Sequence, residues 1–185
     1  MGDMRERMLR GELYQAHDPE LVEAHRRAAD LLFRLNATSN ADRSTRATLL
    51  HELLGAIGAH STIVSPFFCD YGTQITAGQR CFVNAGAVML DGAAVTIGDD
   101  VQMGPNVQLL TATHPVDAAE RASGWELAQP ITIGSGTWLG GGVIVGPGVT
   151  VGERTVVGAG AVVVRDLPPD VVAVGNPARV IRRLA

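Results

Sequence analysis

From Tyr71 to Leu167 the sequence repeats every six residues, and this period limits the available folds more than any other feature. Each repeat has an aliphatic residue, then glycine or another small residue, and a second aliphatic or small residue in the fourth place after the first. Neither a 3.6-residue helix nor a strand alternating every two residues produces this spacing. A fixed period is typical of a solenoid, in which each unit buries its apolar face on the next. The clearest pairs are Ile97-Gly98, Met103-Gly104, Ile133-Gly134, Leu139-Gly140, Val145-Gly146, Val151-Gly152 and Val157-Gly158.

The composition agrees with a solenoid. Only 4% of residues are aromatic while 22 are glycine, as expected if a narrow interior is filled by stacked layers of small aliphatic side chains. We therefore predict a β-helix of short flat strands joined by tight turns. The net charge of −4 offers no positive surface for nucleic acid. Cys69 and Cys81 both occupy fourth places, so we expect two buried structural thiols and neither a disulfide nor a metal site.

The first 60 residues show helical patterns instead of the repeat. We predict helices over residues 4–10, 19–36 and 45–57, with Gly11 and Gly58 ending the first and third. Asp18-Pro19 is a good start for the second helix. The chain thus divides into a helical segment, residues 1–60, and a solenoid, residues 61–185. The start of the chain is densely charged and carries no membrane-spanning stretch, so we expect a cytoplasmic protein without a membrane partner.

The repeat is interrupted by a wide turn at Asp91-Gly92 and by a long excursion at about residues 112–130. Long loops in compact domains are usually functional or disordered. This one contains His114, Trp125 and Glu126. After Leu167 a proline pair ends the repeat and an arginine-containing tail follows. The excursion is the first place to look for chemistry.

Several short motifs occur in a fixed order along the chain. Together with the repeat they resemble the maltose and galactoside O-acetyltransferases, over about residues 4–183. The resemblance implies a mainly β fold, a left-handed parallel β-helix of hexapeptide repeats with a short N-terminal helical segment. It also implies an acetyl-CoA donor, a small sugar acceptor and a homotrimer with active sites between subunits. The motifs are Gly11 to Tyr14, Asp18 to Leu21, Pro66 to Gly72, Thr111 to Pro115 and Gly175 to Arg179.

The resemblance also assigns roles at the acceptor side. It implies His114 as the general base that removes the hydroxyl proton, since imidazole titrates near neutral pH. Glu126 would orient the imidazole, with a merely solvated carboxylate as the alternative. Asp18, Asp70, Asn84 and Asp91 match acceptor-binding positions. For Asp18 the alternative is a helix N-cap, and for Asn84 and Asp91 it is a turn-forming role.

Six residues match positions that line the coenzyme A channel in this family. Arginine pairs with phosphate in a forked geometry, although a solvated basic tail is the alternative for the two arginines. Gly141 stands where several relatives carry serine, so only its backbone N–H could bind the thioester oxygen. No cysteine or serine is placed to form an acyl-enzyme, and direct transfer is expected. The six are Trp138, Gly141, Ala159, Val164, Arg179 and Arg182.

Other functions remain possible for such a solenoid. A zinc hydratase of the γ-carbonic-anhydrase kind needs three histidine ligands, whereas His114 is the only histidine beyond residue 60. A non-catalytic scaffold would not need the histidine loop, the tryptophan and the basic tail together. An acetyltransferase for a non-sugar acceptor also stays open. The sequence does not identify the acceptor.

Overall fold

The computed structural model describes residues 3–184, and Met1, Gly2 and Ala185 lie outside it. Three helices come first: α1 (Asp3–Leu9), α2 (Pro19–Ala37) and α3 (Arg43–Leu53). A short fourth helix, α4 (Ala118–Ala122), lies within the excursion. Asp18 caps the start of α2, where its side chain accepts a hydrogen bond from the Glu20 N–H at 3.0 Å. Within the described range, no helix has the length and apolar character needed to cross a bilayer.

Short strands make up the rest of the fold. In chain order they are β1 (Ala56–Ile57), β2 (Thr62–Ile63), β3 (Phe67–Cys69), β4 (Ile75–Ala77), β5 (Phe82–Val83), β6 (Ala87–Leu90), β7 (Val95–Ile97), β8 (Gln102–Met103), β9 (Gln108–Leu110), β10 (Ala112–Thr113), β11 (Leu127–Ala128), β12 (Ile131–Ile133), β13 (Trp138–Leu139), β14 (Ile144–Val145), β15 (Thr150–Val151), β16 (Val156–Val157), β17 (Val162–Val163), β18 (Val171–Val174) and β19 (Arg179–Arg183).

The strands stack into a parallel β-solenoid, which confirms the predicted fold class. The first sheet is β1-β4-β7-β12-β15, the second is β2-β5-β8-β13-β16-β18 and the third is β3-β6-β9-β14-β17. Each of the first five coils contributes one strand to each sheet, and β18 extends the second sheet beyond them. β19 adds to the second sheet as an antiparallel edge strand beside β18. The coils turn at corners between the sheets. At corner A the chain passes from the second sheet to the third, and at corner B it leaves the third sheet.

The core runs up the inside of the coils. Leu139, Val145 and Val151 are fully buried, as the repeat predicted. A Cβ built on Gly104 would lie 2.5 Å from the Gly141 nitrogen of the next coil. At Gly104 the small second residue of the repeat is therefore required by the backbone stacked on it. Cys69 and Cys81 are buried free thiols, as expected.

The N-terminal helices cover the first coils. α2 and α3 pack together, and their leucines join the solenoid core beside Ile63 and Phe67. α3 ends at Leu53, earlier than predicted, because the chain at Gly55 already lies against the next coil, where its N–H bonds the Gly72 carbonyl at 3.2 Å. Residues 56–57 consequently form β1. The first strand thus precedes the predicted start of the solenoid near Ser61.

Candidate functional site

The excursion leaves the solenoid after β9 and returns to it at β12. Its base is an antiparallel pair, in which Ala112 of β10 faces Ala128 of β11 and Thr113 faces Leu127. His114 follows β10 directly and is exposed. The pair therefore anchors the imidazole-bearing segment while leaving the side chain accessible.

Glu126 precedes β11 and is held by the N-terminal segment. The Tyr14 and Glu126 backbones exchange two hydrogen bonds of 3.0 and 2.9 Å. The Tyr14 hydroxyl also donates to Glu126 Oε2 at 3.2 Å. Within residues 3–184, the imidazole of His114 donates no hydrogen bond to this carboxylate, so the orienting role of Glu126 stays a prediction.

A cavity of about 310 Å³ opens beside Glu126, between α2 and corner B. It combines two carboxylates with aromatic rings, and the rings of His25 and Tyr71 meet edge to face with centroids 6.5 Å apart. Carboxylates and hydroxyls suit a ligand rich in hydroxyl groups. The lining residues are Tyr14, Ala16, Val22, His25, Asp70, Tyr71 and Glu126.

Asp70 is half-buried in this cavity. Burial raises the pKa of its carboxyl to about 6; the charge of Asp91 adds to the effect and that of His25 opposes it. Near neutral pH a fraction of Asp70 is therefore protonated, so the group can both donate to and accept from a ligand hydroxyl.

Asp91 is fully buried and holds the turn that carries Asp70. Its Oδ1 accepts hydrogen bonds from the backbone N–H groups of Asp70 at 3.0 Å and Tyr71 at 2.8 Å. Its Oδ2 accepts from the Gln74 N–H at 3.2 Å. Burial raises the pKa of Asp91, and these backbone bonds oppose the rise. The geometry favours the turn-forming alternative for Asp91.

Asn84 follows β5 at corner A and is half-buried, with its Oδ1 accepting from the Ala85 N–H at 2.8 Å. Asp18 is also half-buried and caps α2. Neither residue lines the cavity beside Glu126. Within one chain, the four predicted acceptor residues are therefore not brought into one pocket.

The predicted donor residues divide between corner A, corner B and the second sheet. Gly141 and Ala159 sit at corner A on successive coils, where the Gly160 N–H bonds the Gly141 carbonyl at 2.9 Å. A Cβ on Gly141 would lie 3.3 Å from Pro105 Cδ, so a serine would crowd the neighbouring coil. Val164 follows β17 at corner B and is 55% exposed.

Trp138 projects from the outer face of the second sheet and is 55% exposed, as predicted. It pairs with Val156, which pairs with Val172, and Val172 pairs with Arg182 of β19. Arg179 lies on the same edge strand. The ring and the two arginines therefore share the outer surface of one sheet.

Sequence reasoning missed five of the seven lining residues, among them Tyr14, His25 and Tyr71. Two of them lie inside motifs that were recognised, Gly11 to Tyr14 and Pro66 to Gly72, without a role being given to them. His25 stands on the exposed side of an amphipathic helix, where nothing local distinguishes it from a solvated residue. Across residues 3–184 there is no group of three or more His, Cys, Asp or Glu side chains able to hold a metal.

Two family models match the sequence. Residues 7–58 match the maltose acetyltransferase hexapeptide capping motif, and residues 130–165 match the bacterial transferase hexapeptide with six repeats. The solenoid and its helical cover thus each correspond to a known family element.

Individual relatives span almost the whole chain. Nodulation protein L of Rhizobium meliloti is 46% identical, covering 95% of this chain and 96% of its own. A maltose O-acetyltransferase from Clostridium difficile is 42% identical with a TM-score of 0.97, covering 98% of this chain and 97% of its own. A hexapeptide-repeat acetyltransferase from Vibrio cholerae, complexed with acetyl coenzyme A, is 39% identical with a TM-score of 0.92, covering 97% of each chain.

Proposed function

Because the chain belongs to the hexapeptide-repeat maltose acetyltransferase family, we propose that this acetyltransferase moves the acetyl group of acetyl-CoA to a hydroxyl of a small sugar or glycoside. The observation that carries the proposal is the position of the exposed His114, directly after β10. The strand paired with β10 is β11, and the residue just before β11 is Glu126, which lines the cavity. A cytoplasmic location stays a prediction.

In the proposed reaction His114 takes the proton of the acceptor hydroxyl as its oxygen attacks the thioester carbonyl. The backbone N–H of Gly141 is the proposed donor to the oxyanion that forms. Collapse of this intermediate breaks the carbon–sulfur bond, and the departing thiolate receives the proton from the imidazolium. Acetyl transfer is direct, and no acyl-enzyme is formed.

We assign the acceptor to the cavity lined by Asp70 and Glu126. Their carboxylates can bind the remaining hydroxyls of a sugar, and Tyr71 and His25 supply aromatic edges for its apolar face. Asp91 acts there indirectly, by fixing the turn of Asp70.

We assign the donor to the outer surface of the second sheet, which carries Trp138, Arg179 and Arg182, and to the corners that carry Ala159 and Val164. The two arginines are exposed on β19, where they can bind the phosphates of the coenzyme. Trp138, more than half exposed, offers a flat surface for the pantetheine arm or for a neighbouring subunit.

We propose a homotrimer whose active sites lie between adjacent chains. The support is the division of the predicted residues: Asp70 and the His114 loop lie at corner B of the solenoid, while Asn84 and Gly141 lie at corner A. A neighbour that presents its corner A to this chain's corner B would unite both groups.

A second candidate is transfer to a hydroxyl compound other than a sugar. An apolar groove of about 510 Å³ adjoins the acceptor cavity through His25 and is lined mainly by α2 and β3, including Phe33 and Phe68. Such a groove favours acceptors that carry an apolar part.

The test is His114→Ala, with His51→Ala as control because His51 is an exposed histidine on α3. We expect kcat to fall about 10²–10⁴-fold for His114→Ala, with an unchanged oligomer by size-exclusion chromatography. Coenzyme A release would be followed by chromatography over a panel of sugars, glycosides and apolar alcohols. Turnover retained by His114→Ala would remove the assigned base. Coenzyme A binding without turnover on any acceptor would favour a scaffold.

A further inference from the structure

We infer that Tyr14 is a positioning residue for the catalytic loop, because it fixes Glu126 and, through Glu126, the strand segment opposite His114. This inference rests on the proposed function and adds to it a role for the N-terminal segment. Tyr14 is not proposed to touch the reacting atoms.

The backbone register places Glu126 between Tyr14 and His114. Ala112 faces Ala128 and Thr113 faces Leu127, so one further step along the same register puts His114 opposite Glu126. The N–H and C=O of Glu126 point the other way, to Tyr14. In an antiparallel ladder, a residue whose N–H and C=O point away from the residue opposite forms a non-hydrogen-bonded pair with it, and the Cα atoms of such a pair are the closer of the two kinds. The observed pairing ends at Thr113 and Leu127, and we infer from its register that the side chains at positions 114 and 126 are near neighbours.

The excursion needs the backbone hydrogen bonds from Tyr14 as a further support. β10 and β11 have two residues each, and such a short hairpin is not stable alone in water. Further contacts from the N-terminal segment secure the loop: the Arg7 guanidinium lies 5.4 Å from the Trp125 ring centre, and Gln15 Nε2 donates to the Ser123 carbonyl at 3.4 Å.

The Tyr14 side chain is itself tightly held. It is 2% exposed and packs in a cluster with Met8, Leu21 and Ala128. A Cβ on Gly92 would lie only 3.0 Å from the Tyr14 hydroxyl oxygen, so the hydroxyl has little room to move. Burial, with the nearby charge of Glu126, holds the pKa of Tyr14 well above its ordinary value, so the hydroxyl remains a donor.

The hydroxyl fixes one oxygen of Glu126 and leaves the other for a ligand. Oε2 accepts the hydrogen bond from Tyr14. Within residues 3–184, Oε1 accepts none, and Glu126 lines the acceptor cavity. Loss of the hydroxyl would leave this carboxylate free to rotate away from an acceptor beside His114.

The test is Tyr14→Phe, which keeps the ring and removes only the hydroxyl. Leu21→Val is the matched control because Leu21 packs in the same cluster but makes no hydrogen bond through its side chain. We expect Tyr14→Phe to lower kcat/KM for the acceptor about 10-fold, as loss of a hydrogen bond to a charged group implies, while KM for acetyl-CoA and the activity of Leu21→Val stay unchanged. In a Glu126→Gln background, where the Tyr14 hydroxyl would donate to a neutral amide oxygen, the effect of Tyr14→Phe should be smaller.

Hydrogen exchange of residues 111–130 provides a readout independent of turnover. We expect this segment to exchange several-fold faster in Tyr14→Phe than in Leu21→Val. Equal exchange, wild-type kinetics for Tyr14→Phe or an undiminished effect in the Glu126→Gln background would each overturn the inference. An inactive wild-type protein would refute the proposed function, and the exchange comparison would still decide the role of Tyr14.

Discussion

Replacing Asp91 by asparagine should destabilise the fold while acting on the acceptor only indirectly. Asparagine keeps one oxygen, so the bonds to the Asp70 and Tyr71 N–H groups weaken from charged to neutral, by about 1 kcal/mol each. Its NH₂ would face the Gln74 N–H, and that unsatisfied pair adds about 1–3 kcal/mol. Relief of the buried charge beside Asp70 returns part of this. We expect a net loss of about 2 kcal/mol.

The assay is equilibrium urea unfolding of Asp91→Asn at one fixed protein concentration, since association into the proposed trimer would also contribute to stability. Asp99→Asn is the control because Asp99 likewise accepts a bond from the backbone of the preceding coil, at 2.9 Å from the Gln79 nitrogen, but is only half-buried. It should lose less stability than Asp91→Asn. An unchanged unfolding midpoint for Asp91→Asn with a raised acceptor KM would refute the structural role and restore Asp91 as a direct ligand.

Two further substitutions test the site. The pKa of Asp70 is raised to about 6 from an ordinary 3.8, so the charged carboxylate lowers the stability of the fold as the pH rises through that window. Asp70→Asn should therefore gain about 1–3 kcal/mol in unfolding free energy near pH 8 and nothing below about pH 4. Equal gains in thermal unfolding at these two pH values would contradict this. The new Cβ of Gly104→Ala would lie 2.5 Å from the Gly141 nitrogen, so this variant should lose about 3 kcal/mol of unfolding free energy and bind acetyl-CoA more weakly. The Cβ of Gly142→Ala would meet open space, but the backbone φ is +69°, so this variant should lose about 1–2 kcal/mol. Urea unfolding measures both losses, and equal losses would refute the stacking argument.

The period predicted the coils because it records a close backbone approach that most of the repeats make. Gly104 and Gly140 each lie under the backbone of the next coil, and a side chain at either position would collide with it. α2 was predicted to within one residue for a local reason, its Asp18 cap and apolar face. The end of α3 was not predicted, since Leu54 and Ile57 continue an apolar pattern whether the chain is helix or strand. Only the approach of Gly72 to Gly55 decides between helix and strand there.

The candidate site was predictable where a motif carried it and not where the fold assembles it. The excursion and His114 stand out as a break in the repeat. The contact between Tyr14 and Glu126 joins residues 112 positions apart, and no local pattern announces it. The raised pKa of Asp70 likewise depends on burial under α2 and on Asp91 across the turn. Residues that a neighbouring chain of the proposed trimer would contribute lie beyond what one sequence's periodicity can reveal.

The coils on either side of the excursion stack as though it were absent: Val95 of β7 pairs directly with Ile131 of β12, and Ile97 pairs with Ile133. An insertion at this position therefore leaves the phase of the stack unchanged. Loops of other lengths can be inserted between the same two coils without changing the packing of the core. The residues of this loop can therefore change during evolution while the solenoid that supports them stays the same.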